Sequence, residues 1–106
     1  MKGQKVKIEV QHFEGCPNSA EMIARVRTAI EEFNEHIEYK EILVETPEQA
    51  RQIKFRGSPT VLINGSDLEN MPEPTEANLA CRYYKKGLPS ISQIKEFIAD
   101  RLKREE

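Results

Sequence analysis

Residues 6–19 read Val6-Lys7-Ile8-Glu9-Val10-Gln11-His12-Phe13-Glu14-Gly15-Cys16-Pro17-Asn18-Ser19, and two periodicities meet at their end. Val6, Ile8 and Val10 alternate with Lys5, Lys7, Glu9 and Gln11, the period-2 pattern of a strand with one better-buried face. Gly15 breaks that pattern, and Pro17 suits a first helical position. Met22, Val26, Ile30 and Phe33 then recur at helical spacing, so the sequence predicts a helix running to about Phe33. A cysteine therefore stands where a strand hands over to a helix.

Outward from this junction, residues 37–44 mix Ile, Tyr, Leu and Val with charges and read as a second strand. Thr46-Pro47-Glu48-Gln49 places a capping hydroxyl, a helix-starting proline and a Gln three residues past the cap, predicting a short second helix ending near Lys54. Gly57-Ser58-Pro59 punctuates, Thr60-Val61-Leu62-Ile63 reads as a buried strand, and Asn64-Gly65 opens a turn. Residues 66–78 carry two prolines and the acids Asp67, Glu69, Glu73 and Glu76. They read as an exposed loop with a solvated surface, partner docking or weak cation binding being secondary readings. Residues 81–85 are expected to form a fourth strand with Tyr83 and Tyr84 packed on the sheet. Ser90 and Gln93 form a capping box ahead of Ile91, Ile94, Ile98 and Leu102, an amphipathic last helix.

The expected order is βαβαββα in one domain spanning residues 1–106. Short connections and right-handed crossovers then favour an α/β fold, a four-stranded mixed sheet flanked by helices, with its first two strands parallel. Lys7 and Glu9 lie on a strand near the middle of such a sheet, so their face is expected at the edge of the short second helix, where long side chains reach water.

Composition narrows the function classes. A formal net charge of -2 gives no basic footprint for nucleic acid. The longest apolar runs, such as Val61-Leu62-Ile63, fall far short of the ~20 residues of a membrane span. Met1-Lys2-Gly3-Gln4-Lys5-Val6-Lys7 lacks the apolar block of a signal peptide, and a cytoplasmic location is expected. Two cysteines, Cys16 and Cys81, are too few for a stapled scaffold or a four-ligand zinc site. Each is expected to be a free thiol; no metal or cofactor is expected.

Unpaired backbone N–H groups and the dipole at a helix start favour a thiolate at Cys16, which is what a nucleophilic sulfur needs. An ordinary buried cysteine is the alternative. His12-Phe13-Glu14-Gly15-Cys16-Pro17-Asn18-Ser19 resembles the active-site segment of thioredoxins, and Phe55-Arg56-Gly57-Ser58-Pro59-Thr60-Val61-Leu62-Ile63 resembles their cis-proline segment. The resemblance covers nearly the whole chain. It is nearest to small thioredoxin-like proteins of bacteria and archaea, some related to accessory domains of mercury-handling enzymes. It implies a thioredoxin-like fold, a cis Ser58–Pro59 bond, and a partner thiol or extended peptide held beside the sulfur by Pro17, Ser58, Pro59 and Thr60.

The departures from that pattern matter as much. Ser19 occupies the position of the second, resolving cysteine, so the local two-cysteine cycle cannot run. Ser19 either hydrogen-bonds the Cys16 thiolate or simply suits the helix start. Val10 stands where thioredoxins keep a buried carboxylate. His12 either tunes the thiol, as imidazolium or proton acceptor, or points into the core. Cys81 is either a remote resolving thiol or a packed strand residue. On an antiparallel fourth strand it would begin about 15 Å from Cys16, whereas a disulfide needs Cα atoms within ~7 Å.

The leading expectation is a monothiol thioredoxin-like protein in which Cys16 attacks a disulfide or accepts a thiol adduct. Its partner would be a small-molecule thiol such as glutathione, or a protein, and the chain is expected to be a monomer. The competing expectation is a thiol-dependent binding module for a soft metal, an organometal or a redox partner, without turnover. A third is a fold retained for protein interaction.

Overall fold

The alternation at the start of the chain is realised as strand β1 (Val6–His12) in a computed structural model, which describes residues 5–105. Val6, Ile8 and Val10 are buried on one face while Lys7 is exposed on the other. Helix α1 (Asn18–Ile30) buries Met22, Val26 and Ala29 against that face. The helix ends at Ile30 rather than near Phe33, because a 3-10 stretch (Glu31–His36) follows and Phe33 leaves helical geometry at φ -110°, ψ 15°.

Strand β2 (Ile37–Leu43) runs parallel to β1, in register from Val6 opposite Ile37 to His12 opposite Leu43. Helix α2 (Pro47–Ile53) starts as its sequence predicts: the Gln49 N–H donates to Thr46 Oγ1 at 3.0 Å. Strand β3 (Thr60–Ile63) lies antiparallel to β1 on the other side. Asn64 and Gly65 then take φ of 51° and 83°. Positive φ at both central residues is the signature of a tight two-residue hairpin. The chain accordingly turns straight into strand β4 (Ser66–Asp67), antiparallel to β3. Helix α3 (Ile91–Glu105) opens with a reciprocal capping box, the Gln93 N–H donating to Ser90 Oγ at 3.1 Å and the Ser90 N–H to Gln93 Oε1 at 2.8 Å.

The result is a mixed α/β architecture with a four-stranded sheet ordered β2-β1-β3-β4. One face carries the main core, Ile8, Val10, Val61 and Ile63 closing against Met22, Val26, Ile94 and Ile98 of α1 and α3. Val44, Ala50 and Phe55 form a smaller cluster around α2, with Phe13 and Ile42. Lys7 is exposed, and Glu9 lies 3.9 Å from the Lys40 ammonium on the neighbouring strand.

Three expectations need correction. The fourth strand is not residues 81–85 but Ser66–Asp67, and the supposed exposed loop begins with buried Asp67 and Leu68. The Asn-Gly turn fills the free edge of β3 at once, leaving residues 81–85 no place in the sheet. Tyr84 is indeed packed, at 7% exposure, but Tyr83 is not, at 81%. Among the described residues no helix is long and apolar enough to cross a membrane. Met1–Gln4, part of the segment read for targeting, lie outside the described residues.

Candidate functional site

Three segments meet beyond the C-terminal end of β1: the turn into α1, the loop before β3, and residues 80–84. Cys16 and Cys81 form a disulfide there, with an S–S distance of 2.06 Å and Cα atoms 5.8 Å apart. This overturns the expectation of two free thiols held about 15 Å apart. The error came from putting Cys81 on an edge strand, which would start it at the far end of the sheet. Residues 80–82 instead cross back to the Ser58 loop, where Ser58 and Cys81 form an isolated parallel bridge. The Ser58 N–H donates to the Ala80 carbonyl at 2.8 Å, and the Arg82 N–H donates to the Ser58 carbonyl at 2.8 Å. Cys16 is buried, at 7% exposure, and Cys81 is exposed.

Gly57 permits this close approach. Its φ is +105°, and a Cβ there would lie 2.9 Å from Arg82 Cβ and 3.2 Å from the Arg82 backbone N and Cα. Any side chain would meet both backbone strain and a clash with the Arg82 Cβ.

Residues 81–84 alternate exposed, buried, exposed, buried, and the two inward side chains anchor the segment. Arg82 makes a bidentate pair with Asp67, at 2.6 Å to Oδ1 and 2.9 Å to Oδ2, and the side chains are only 3% and 1% exposed. Asp67 Oδ2 also accepts the N–H groups of Glu69 and Met71. Burial opposes the Asp67 charge, but Arg82 and the Met71 and Glu69 N–H groups outweigh it and hold the carboxyl below its ordinary range. The Arg82 guanidinium lies 4.7 Å from the centre of the Tyr84 ring. The Tyr84 hydroxyl donates to the Pro59 carbonyl at 2.5 Å, and burial pushes its phenol well above the usual tyrosine range. The segment bearing Cys81 is thus pinned to the Pro59 loop and to β4 independently of the disulfide.

The residues singled out in the sequence fall into two groups. Ser58–Pro59 is cis. Ser58 Oγ accepts the Phe13 N–H at 3.0 Å and lies 2.7 Å from Ser19 Oγ, tying the start of α1 to the Pro59 loop. The Ser19 hydroxyl therefore pairs with Ser58 rather than with the Cys16 sulfur, while the Ser19 N–H donates to the Cys16 carbonyl at 3.2 Å. Pro17 is exposed at the cap of α1 with φ -63°. Thr60 is fully buried, its hydroxyl donating to the Gly57 carbonyl at 2.5 Å, with Arg82 Nη1 at 3.4 Å.

His12 stands apart from this cluster. It is half-buried at the end of β1, and no hydrogen bond joins it to Cys16 among the described residues. Its carbonyl accepts the Val44 N–H at 2.7 Å. Val10 is a fully buried apolar residue with no carboxylate to offer. Arg82, Asp67, Tyr84 and Gly57 were not foreseen as parts of the site. The Asn64-Gly65 hairpin signal, which brings Asp67 to a sheet edge, was the available clue to the first pair.

No protein-family model matches this chain, and no curated protein matches it. The chemistry must therefore be read from the geometry. A disulfide with one exposed and one buried half, the buried half at a helix start, can be opened by an external thiolate. On opening, it would release a sulfur that the helix N-terminus stabilises as an anion.

Proposed function

We propose that the chain is a thioredoxin-like protein acting by thiol–disulfide exchange, with Cys16 and Cys81 as its two-electron couple. The observation that carries this reading is the disulfide from Cys16, buried ahead of α1, to an exposed Cys81. The sheet order β2-β1-β3-β4 and the cis proline beside the sulfurs agree with the thioredoxin resemblance. The Cys-Pro-Asn-Ser motif keeps a single thiol, so the second sulfur comes from Cys81 instead of the first turn of the helix. One fold hosts many activities, so the argument for exchange rests on the pair and not on the fold.

In the forward direction two thiols RSH are oxidised to RSSR while the protein disulfide is reduced to two thiols. In reverse, the protein dithiol reduces a partner disulfide. The electron pair passes through a mixed disulfide, and the released thiolates take their protons from solvent.

A second reading also gains support. Once reduced, the two sulfurs are close enough to act as a pair of soft ligands for a thiophilic metal ion or organometal. Titration of the reduced protein and of Cys81→Ser separates the two cases, since a two-thiol site loses most of its affinity in the variant.

The exchange reading is tested by the pH dependence of Cys16 alkylation in a Cys81→Ser background. An apparent pKa well below the free-cysteine value of ~8.5 supports an activated sulfur. A normal or raised value contradicts it.

A further inference from the structure

Ordinary thiol–disulfide logic asks which of two sulfurs an incoming thiolate meets, and the two ends of this disulfide differ sharply. We infer that the thiolate enters at Cys81, that Cys16 is the leaving and resolving thiolate, and that the partner is a low-molecular-weight thiol recognised without backbone pairing. The inference rests on the exchange reading and specifies its polarity and substrate class.

Access comes first. Cys81 is exposed while Cys16 is 7% exposed. The alternation of residues 81–84 turns Cys81 and Tyr83 outward and Arg82 and Tyr84 inward. A nucleophile in solvent therefore meets residue 81 before residue 16.

The leaving group points the same way. Cleavage by attack on Cys81 puts the negative charge on Cys16, just ahead of the thirteen-residue helix α1. Helix N-termini stabilise anions and lower thiol pKa values, and a lower-pKa thiolate departs faster. Attack on Cys16 would instead require entry to a buried sulfur and would expel a thiolate from Cys81, which starts no helix.

The Ser58 edge limits the partner. Both backbone groups of Ser58 are already occupied, its N–H by Ala80 and its carbonyl by Arg82. Residues 80–82 thus take up the backbone pairing that an extended partner chain would need beside Pro59. A small thiol needs none of it. Arg82 and Tyr84 also keep residue 81 in place after cleavage, so the adduct stays within reach of Cys16.

RS⁻ attacks Cys81 Sγ, forming an RS–Sγ bond and breaking the Cys16–Cys81 bond, with Cys16 leaving as thiolate. A second RS⁻ then attacks the sulfur of the bound RS group, giving RSSR and Cys81 thiolate. In the reverse sense Cys16 thiolate attacks the Cys81 adduct and expels RS⁻.

The experiment mixes the oxidised wild-type protein with reduced glutathione, quenches with N-ethylmaleimide at early times and maps both cysteines by peptide mass spectrometry. Glutathione on Cys81 with maleimide on Cys16 is expected, at least about ten-fold over the opposite pattern. Single-cysteine variants guard against migration of the adduct: Cys16→Ser should take up glutathione from oxidised glutathione faster than Cys81→Ser. Glutathione mainly on Cys16 at the earliest times, with Cys81→Ser the faster variant, would overturn the polarity while leaving exchange intact. A cysteine within a long extended peptide should react no faster than glutathione, and a large rate advantage for the peptide would overturn the small-thiol class. No modification of either cysteine until the protein is unfolded would overturn both the inference and the exchange reading.

Discussion

Replacing Asp67 with Ala removes one half of the buried pair that holds the Cys81 segment. The wild-type guanidinium of Arg82 has bonds of 2.6 and 2.9 Å to Asp67, and the two side chains are 3% and 1% exposed. In the variant, the Arg82 charge stays buried without its partner, and the Glu69 and Met71 N–H groups lose their acceptor. Breaking a buried ion pair from one side costs about 3–5 kcal/mol, most of it the penalty of the stranded charge. Domains of ordinary stability hold only about 5–15 kcal/mol in reserve, so the variant should be left marginal. Urea denaturation of the oxidised protein, followed by circular dichroism, should show a lower midpoint at an unchanged slope. The double variant Asp67→Leu/Arg82→Met strands no charge and should recover most of the loss. A cost below about 1 kcal/mol for Asp67→Ala would refute the reasoning, because that is the worth of an exposed pair.

Gly57→Ala places a Cβ 2.9 Å from Arg82 Cβ at φ +105°. It should cost about 1–3 kcal/mol in denaturation and raise the fraction of reduced protein in a fixed glutathione buffer. Tyr84→Phe leaves the Pro59 carbonyl without its donor and should cost about 1–3 kcal/mol by the same denaturation assay, with the disulfide still formed. Asp67 is held below its ordinary range in the folded protein, so its contribution is complete above the unfolded-state carboxylate pKa and is lost as pH falls through the folded value. Stability measured down an acid series should therefore drop more steeply in the wild type than in Asp67→Asn.

Local signals carried much of the fold. The alternation of Val6, Ile8 and Val10 and the capping residues Thr46, Ser90 and Gln93 act over a few residues, and each reappears as expected. Strand β4 was missed because two residues are too few for any periodicity to register. Cys16 could be singled out because its setting, a strand turning into a helix, is local. Its partner could not. Cys81 reaches Cys16 through a path fixed by the Asp67–Arg82 pair, the Tyr84–Pro59 bond and the space left by Gly57, contacts between residues far apart in the chain. Nothing local marks Arg82, between Cys81 and Tyr83, and only burial beside Asp67 reveals it as an anchor. His12 shows the opposite case: close in sequence to Cys16, it makes no hydrogen bond to it among the described residues.

The most direct measurement is equilibration of the folded protein in a series of glutathione redox buffers, approached from both the oxidised and the reduced side, with both cysteines counted by alkylation. A working Cys16–Cys81 couple gives one reversible transition in which the two thiols appear together, with circular dichroism unchanged across it. A disulfide that resists reduction until the chain unfolds would contradict exchange and make the bond a structural staple.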